Sequence, residues 1–195
     1  MARSLMCLYF SMNSYNNISY LWEDKCLLNN SFENKLIKYH NEFMGYFVFD
    51  TLLLLYQNYL KIEENIRLDL LLHHILAITA LIFIENDKFY GISLLIGLSE
   101  GMSVVSGLKL LLQDKYGEIY RKSVKNLVKF RLGYIGIVRM LYLWPSIVYY
   151  YWNVTDECDR YKNKRNMFLI IGMIILIIHA EIKWIHSGRK ELARI

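Results

Sequence analysis

The stretch DLLLHHILAITALIF constrains this chain most, because it is apolar enough for hydrocarbon yet carries an aspartate and two adjacent histidines. It belongs to one of five apolar runs, and a helix needs about 20 such residues to cross the ~30 Å core of a bilayer. The last run contains MFLIIGMIILII, which has no polar face for a soluble surface helix. The sequence therefore predicts an all-α, multi-pass transmembrane helical bundle with five spans, at Phe43 to Leu60, Leu68 to Ile84, Tyr90 to Leu112, Leu132 to Trp152 and Met167 to Ile185.

The composition supports this class of protein. Hydrophobic residues make up 55% of the 195 residues, and the charged residues lie mainly between the apolar runs. Basic residues in short connections anchor helices and meet anionic head groups, so the net charge of +5 predicts no nucleic-acid partner. Residues 1–42 are expected to form an N-terminal segment, either a remnant helix or an interfacial one, and residues 43–195 the membrane domain.

Orientation is weakly marked in the sequence. Basic groups are nearly balanced across a five-span arrangement, so the positive-inside rule does not decide it. The glycosylation sequons at Asn17, Asn29 and Asn153 all fall on the N-terminal side of that arrangement. They predict that this side is lumenal and that the C-terminal tail is cytosolic. The three cysteines indicate no disulfide framework, since they cannot all pair.

Each predicted span contains polar residues whose burial in hydrocarbon is costly, so these side chains should face the bundle interior. Asp69 lies one helical turn before His73, where it can orient the imidazole or simply start the helix at the interface. Glu100 sits in a stripe of small residues that lets helices approach closely, and it needs a partner such as a histidine of the second span or Arg139. The residues expected to line an intramembrane cavity are Asp50, Asp69, Arg139 and His179, with His73, His74 and Glu100 at its polar end.

Neither a metal nor another cofactor is expected. The five histidines lack the repeated HxxH spacing of membrane di-iron enzymes. Adjacent histidines on a helix also diverge by about 100°, which makes chelation of one ion difficult.

Four stretches together resemble the TLC domain from about Gly45 to Arg194. They are GYFVFDTLLLL, DLLLHHILAITAL, LIGLSEGMSVVSGLKLLL and HAEIKWIHSGRKELARI. This family includes ceramide synthases and members linked to lipid composition and lipid sensing. The resemblance implies a bundle in an endoplasmic-reticulum-type membrane, shortened here at its N-terminus. Frequent Asn, Lys, Ile and Tyr are typical of AT-rich genomes of parasites and large viruses, so a host cell membrane is the other expected location.

In ceramide synthases, paired histidines serve acyl transfer from acyl-CoA to a sphingoid amine, and by position these are His73 and His74. An imidazole can deprotonate the amine or accept the acyl group, and Glu100 lies near the family's first acidic position in the next span. The synthase motif has a threonine where this chain has Ala77 and a second aspartate near Val104, so the resemblance favours the non-synthase branch. It implies a protein that binds or senses membrane lipid in an intramembrane cavity. The alternative is a lipid N-acyltransferase that uses acyl-CoA and a sphingoid base.

Overall fold

The computed structural model of the chain describes residues 2–60, 68–116, 120–161 and 167–194. Within these ranges all regular structure is helical, which confirms the predicted all-α class. A π-helical segment at Tyr134–Leu143 and a 3₁₀ turn at Asp159–Tyr161 accompany eight α-helices. The α-helices are α1 (Ala2–Glu23), α2 (Asn30–Tyr59), α3 (Leu68–Asp87), α4 (Tyr90–Ser99), α5 (Gly101–Tyr116), α6 (Arg121–Gly133), α7 (Trp144–Glu157) and α8 (Met167–Arg194).

The described helices form six rods. Only Glu100 separates α4 from α5, and the π-helical segment joins α6 to α7 in one rod of 37 residues. This segment ends just before Pro145, which has no N–H to continue the regular helical bonds. The N–H of Trp144 instead donates to the carbonyl of Arg139, five residues back. The wider turn therefore absorbs the proline without ending the rod.

Among the described residues, three rods are long and apolar enough to cross a membrane: Leu70–Asp87, Tyr90–Leu112 and Arg121–Glu157. They overlap the predicted second, third and fourth spans. In the most apolar 18 residues of each rod, 22% to 33% of the residues are fully buried inside the bundle, and the others are half-buried or exposed. The predicted first span lies in α2, which is not among the three. The predicted fifth span lies in α8, where several side chains fall outside the described residues.

Helix α1 is part of the bundle core. Small residues of α1 lie against glycines of α4 and α5, and small residues let two helices approach closely. The boundary predicted at position 42 also falls inside the continuous helix α2. The N-terminal segment is therefore an integral helix of the bundle rather than a peripheral one. Three antiparallel contacts define the packing, namely Ser14 on Gly97, Ser11 on Gly101 and Ser4 on Gly107.

One end of the bundle is closed by a disulfide between Cys26, in the α1–α2 turn, and Cys158, after α7. The rings of Phe89 and Tyr161 stack beside it with centroids 4.7 Å apart. The Tyr161 hydroxyl also donates to the carbonyl of Lys88, in the α3–α4 turn, at 3.1 Å. We call this region, residues 24–33, 87–89 and 157–161, the disulfide end. This disulfide was not predicted, because three cysteines cannot all pair and the sequence does not show which two do.

At the opposite end of the bundle, ion pairs hold α5, α6 and α8 together. Glu191 of α8 accepts from Lys109 of α5 at 2.6 Å and from Arg131 of α6 at 3.1 Å. Gly188 brings α8 close to α6, since a Cβ there would lie 2.8 Å from a methyl carbon of Leu132. We call this region, formed by Lys109, α6 and the last two turns of α8, the basic end.

Candidate intramembrane polar site

Asp50 of α2 is the centre of a first buried polar cluster. Its side chain is 2% exposed, and its Oδ1 lies 2.8 Å from both Nε and Nη2 of Arg3 in α1. The other carboxylate oxygen, Oδ2, lies 3.4 Å from Nε2 of His74 in α3. His74 is 3% exposed. Three helices thus bring a half-buried arginine together with a buried carboxylate and a buried imidazole, and their mutual pairing offsets the cost of burying the two inner groups.

Glu100 forms a second cluster at the junction of α4 and α5. It is buried, and its Oε2 accepts from the thiol of Cys7 and from the hydroxyl of Ser103, each at 3.4 Å. Cys7 also lies 3.1 Å from the hydroxyl of Tyr46. The two clusters are neighbours, because Cys7 follows Arg3 by about one turn of α1 and Tyr46 precedes Asp50 by about one turn of α2.

Arg139 and Glu181 form a third buried cluster between the π-helical segment and α8. The Nε of Arg139 lies 2.8 Å from Oε1 of Glu181, and both side chains are almost fully buried. The indole N–H of Trp144 donates to the same oxygen at 3.2 Å. The Arg139 guanidinium also stacks over the ring of Trp184, 5.6 Å from its centroid, which adds a cation–π contact.

Aromatic contacts connect these clusters to the histidine pair. His73 is half-buried, and its ring centroid lies 5.5 Å from that of Trp184 and 5.8 Å from that of His74. Trp184 therefore stands between His73 and the Arg139 guanidinium. The histidine pair, the Asp50 carboxylate and the Arg139 cluster belong to one polar core.

The backbone is irregular at two places in this core. The rod of α4 and α5 is interrupted at Glu100, and the facing rod is π-helical around Arg139. The hydroxyl of Tyr134 donates to the carbonyl of Leu98, and Nη1 of Arg139 lies 3.7 Å from the sulfur of Met102, so the two irregular stretches touch. π-Helical turns occur frequently at functional sites.

The structure brings most of the predicted site residues inward. Asp50, His74, Glu100 and Arg139 are buried and His73 is half-buried. His179 differs from the prediction, because it is exposed on α8. Two residues along a helix turn the side chain by about 200°, so the inward position belongs to Glu181 instead, and His179 points away from the core. Asp69 lies in α3, but its side chain falls outside the described residues.

Several residues of the core were not predicted from the sequence, among them Arg3, Cys7, Glu181 and Trp184. Arg3 and Cys7 lie in the N-terminal segment that was expected to be a remnant helix or an interfacial one, and Glu181 and Trp184 lie near the end of the predicted last span. One signal was present, since Ser4, Cys7, Ser11 and Ser14 recur at intervals of three and four residues. That spacing places small side chains on one helix face and indicates close helix packing.

The core contains buried polar atoms that lack a hydrogen-bond partner among the described residues. They include Nδ1 of His74 and Oε2 of Glu181. Buried polar atoms are almost always hydrogen-bonded in native proteins, to protein, water or ligand. These two atoms can therefore bind the polar group of a ligand that enters the core. Within the same described ranges, no group of three or more His, Cys, Asp or Glu residues is arranged to hold a metal ion.

Comparison with models of known protein families, with curated proteins and with solved structures finds no match to this chain.

Proposed function

We propose that the chain is an integral, multi-pass membrane protein that binds or senses a membrane lipid at this polar core. The observation that carries the proposal is that two buried atoms, Nδ1 of His74 and Oε2 of Glu181, have no hydrogen-bond partner among the described residues of this bundle of apolar rods. The resemblance to the TLC domain supports the same class of ligand and an endoplasmic-reticulum-type or host cell membrane.

The position of His73 supports a route from the core to the lipid phase. His73 is half-buried, whereas its neighbours on the outer face of α3 are apolar and exposed, at Leu72, Ile75 and Ile82. An acyl chain can lie along that face while the polar group of the same lipid reaches His73 and His74. Each buried methylene contributes about 0.8 kcal/mol, so the chain supplies most of the binding free energy and the core supplies the selectivity.

The test is lipid retention by purified protein. Native mass spectrometry of protein extracted in mild detergent should show a co-purifying lipid, and His74→Gln should retain about 10- to 150-fold less of it. A hydrogen bond to a charged group contributes about 1.5–3 kcal/mol, which sets that magnitude. His179→Gln is the matched control, because it makes the same substitution on the exposed side of α8. Equal retention by the two variants would exclude a lipid headgroup at the core.

A second candidate function is lipid N-acyl transfer, which is favoured by the pairing of Asp50 with His74. A carboxylate beside one imidazole nitrogen orients the ring and stabilises its protonated form, while the other nitrogen can take a proton from an amine. Radiolabelled acyl-CoA and a panel of sphingoid amines, with protein in lipid nanodiscs, give the assay. Asp50→Asn should lower turnover by about 100- to 1000-fold, as expected for lost charge stabilisation, while His179→Gln should not. If no amine is acylated by the unmodified protein, only the binding function stands.

A further inference from the structure

The outer face of α8 carries a groove that is separate from the buried core. It has a volume of about 440 Å³ and is lined by Ile182, Lys183, His186, Ser187 and Lys190. These residues recur every three or four positions and so share one helix face. The groove faces outward, whereas the adjacent Glu181 faces the core. Three of its five lining residues carry nitrogen groups that can bind an anion.

The surroundings of the groove reinforce this positive character. Two carboxylates of α8 flank the groove: Glu181 is paired with Arg139 in the core, and Glu191 is engaged by Lys109 and Arg131. Helix α6, which packs against α8, contains no acidic residue. It contributes five further basic residues at the same end of the bundle, which are Arg121, Lys122, Lys125, Lys129 and Arg131.

The disulfide indicates which side of a membrane this end faces. Disulfides persist in oxidising compartments and are rare in the cytosol, so the Cys26–Cys158 bond assigns the disulfide end to the lumenal or extracellular side. The sequon at Asn29 lies in the same exposed turn as Cys26. The basic end then lies at the cytosolic face, where anionic lipids are concentrated and attract Lys and Arg near the membrane.

We propose that the groove on α8 binds the anionic headgroup of a lipid in the cytosolic leaflet. Lys183 and Lys190 are exposed and have long, flexible stems, so both ammonium groups can reach the headgroup region from one face of α8. His186 lies between them, and Ile182 offers apolar contact for the first part of an acyl chain. This proposal rests on the proposed insertion of the bundle in a membrane, but binding at the groove does not depend on lipid binding at the buried core.

The experiment measures the affinity of detergent-solubilised protein for short-chain phosphatidylserine and, in parallel, for phosphatidylcholine of the same chain length. Each basic residue near an anionic lipid contributes about fivefold in affinity, so Lys183→Gln with Lys190→Gln should weaken phosphatidylserine binding about 25-fold. Phosphatidylcholine binding should stay unchanged. The matched control is Lys35→Gln with Lys38→Gln, which removes two exposed lysines of α2 near the disulfide end and should have no effect.

A charge-conserving variant and a competition experiment complete the test. Lys183→Arg with Lys190→Arg keeps both charges and should keep the affinity, which separates charge from any fault in folding. Inorganic phosphate at the same concentration should not compete, because it lacks the acyl chain. Equal affinity for the two lipids, equal losses in the α8 and α2 variants, or full competition by inorganic phosphate would each overturn the proposal.

Discussion

The two ends of the bundle are closed by different chemistry. At the disulfide end, a covalent bond between Cys26 and Cys158 joins the α1–α2 turn to the end of α7, beside a stack of buried aromatic rings. At the basic end, α5, α6 and α8 are held together by ion pairs to a single carboxylate, Glu191. A disulfide forms only where the compartment is oxidising, whereas ion pairs form on either side of a membrane.

The bundle is therefore chemically polarised along its long axis, with a covalent link at one end and ion pairs at the other. Six rods of alternating direction place the beginning of α1 and the end of α8 at the same end, away from the disulfide. The five-span arrangement expected from the sequence instead puts the two termini on opposite sides. The difference arises because α1 packs inside the bundle as a full helix.

The largest expected effect concerns the side of the membrane on which the two termini lie. It is all-or-none, because a terminus lies on one side or the other. Reporters fused before Met1 and after Ile195 should both be digested by protease added to the cytosolic face of sealed vesicles. The physical reason is the even number of rods between them. A protected N-terminal reporter beside a digested C-terminal one would restore the five-span arrangement and contradict the pairing of α1 with α4 and α5.

Loss of the disulfide should have the next largest effect. Cys26→Ser with Cys158→Ser removes a link between residues 132 positions apart and should lower the free energy of unfolding by about 2–4 kcal/mol. The measurement is a thermal or SDS unfolding titration in detergent, compared with Cys7→Ser. Cys7 is a free buried cysteine with only weak hydrogen bonds, so its loss should cost less. Unchanged stability after reduction of the parent protein would show that the covalent link adds nothing to the disulfide end.

A smaller effect is expected at the basic end. Glu191→Gln removes the charge that Lys109 and Arg131 share, and both basic side chains are largely buried. The free energy of unfolding should fall by about 1–3 kcal/mol, because two charge-assisted hydrogen bonds are weakened. The loss should shrink in a background where Lys109 and Arg131 are both glutamine, as measured by a double-mutant cycle. Additive losses would mean that these charges do not interact.

The smallest effect is expected for the surface ion pair at the disulfide end. Lys25 and Glu157 form a salt bridge, but both side chains are substantially exposed to solvent. Lys25→Ala should therefore change the free energy of unfolding by less than about 1 kcal/mol, and salt should reduce even that difference. The same titration at low and high ionic strength gives the measurement. A loss as large as that of Glu191→Gln would show that this exposed ion pair contributes as much stability as the buried pairs at the basic end.

Much of the fold was predictable because hydrophobic periodicity is local. The runs of the second, third and fourth spans are long and apolar by themselves, and each lies in a rod long enough to cross a membrane, although the fourth belongs to a longer rod of 37 residues. The stripe of glycines around Glu100 also predicted a close helix contact. The helix that packs against this stripe, α1, was not predicted. Its tyrosines, asparagines and serines, considered by themselves, are typical of an interfacial helix.

The candidate site was predicted only in part. Asp50, His74, Glu100 and Arg139 were singled out because a charge in an apolar run is costly, and the structure buries all four. Their partners could not be read from the chain, since the carboxylate beside His74 is Asp50 of a different helix and the partner of Arg139 is Glu181 rather than Glu100.

The sequence by itself determined that the chain is helical and that three of its described rods can cross a membrane, because length and apolarity are properties of each segment. Only the tertiary structure decided which polar side chains meet, that Cys26 pairs with Cys158, and that Glu181 rather than His179 faces the core. Those outcomes depend on the rotation and depth of each helix relative to its neighbours. Rotation and depth are set by packing between segments distant in the sequence, and a local pattern does not encode them.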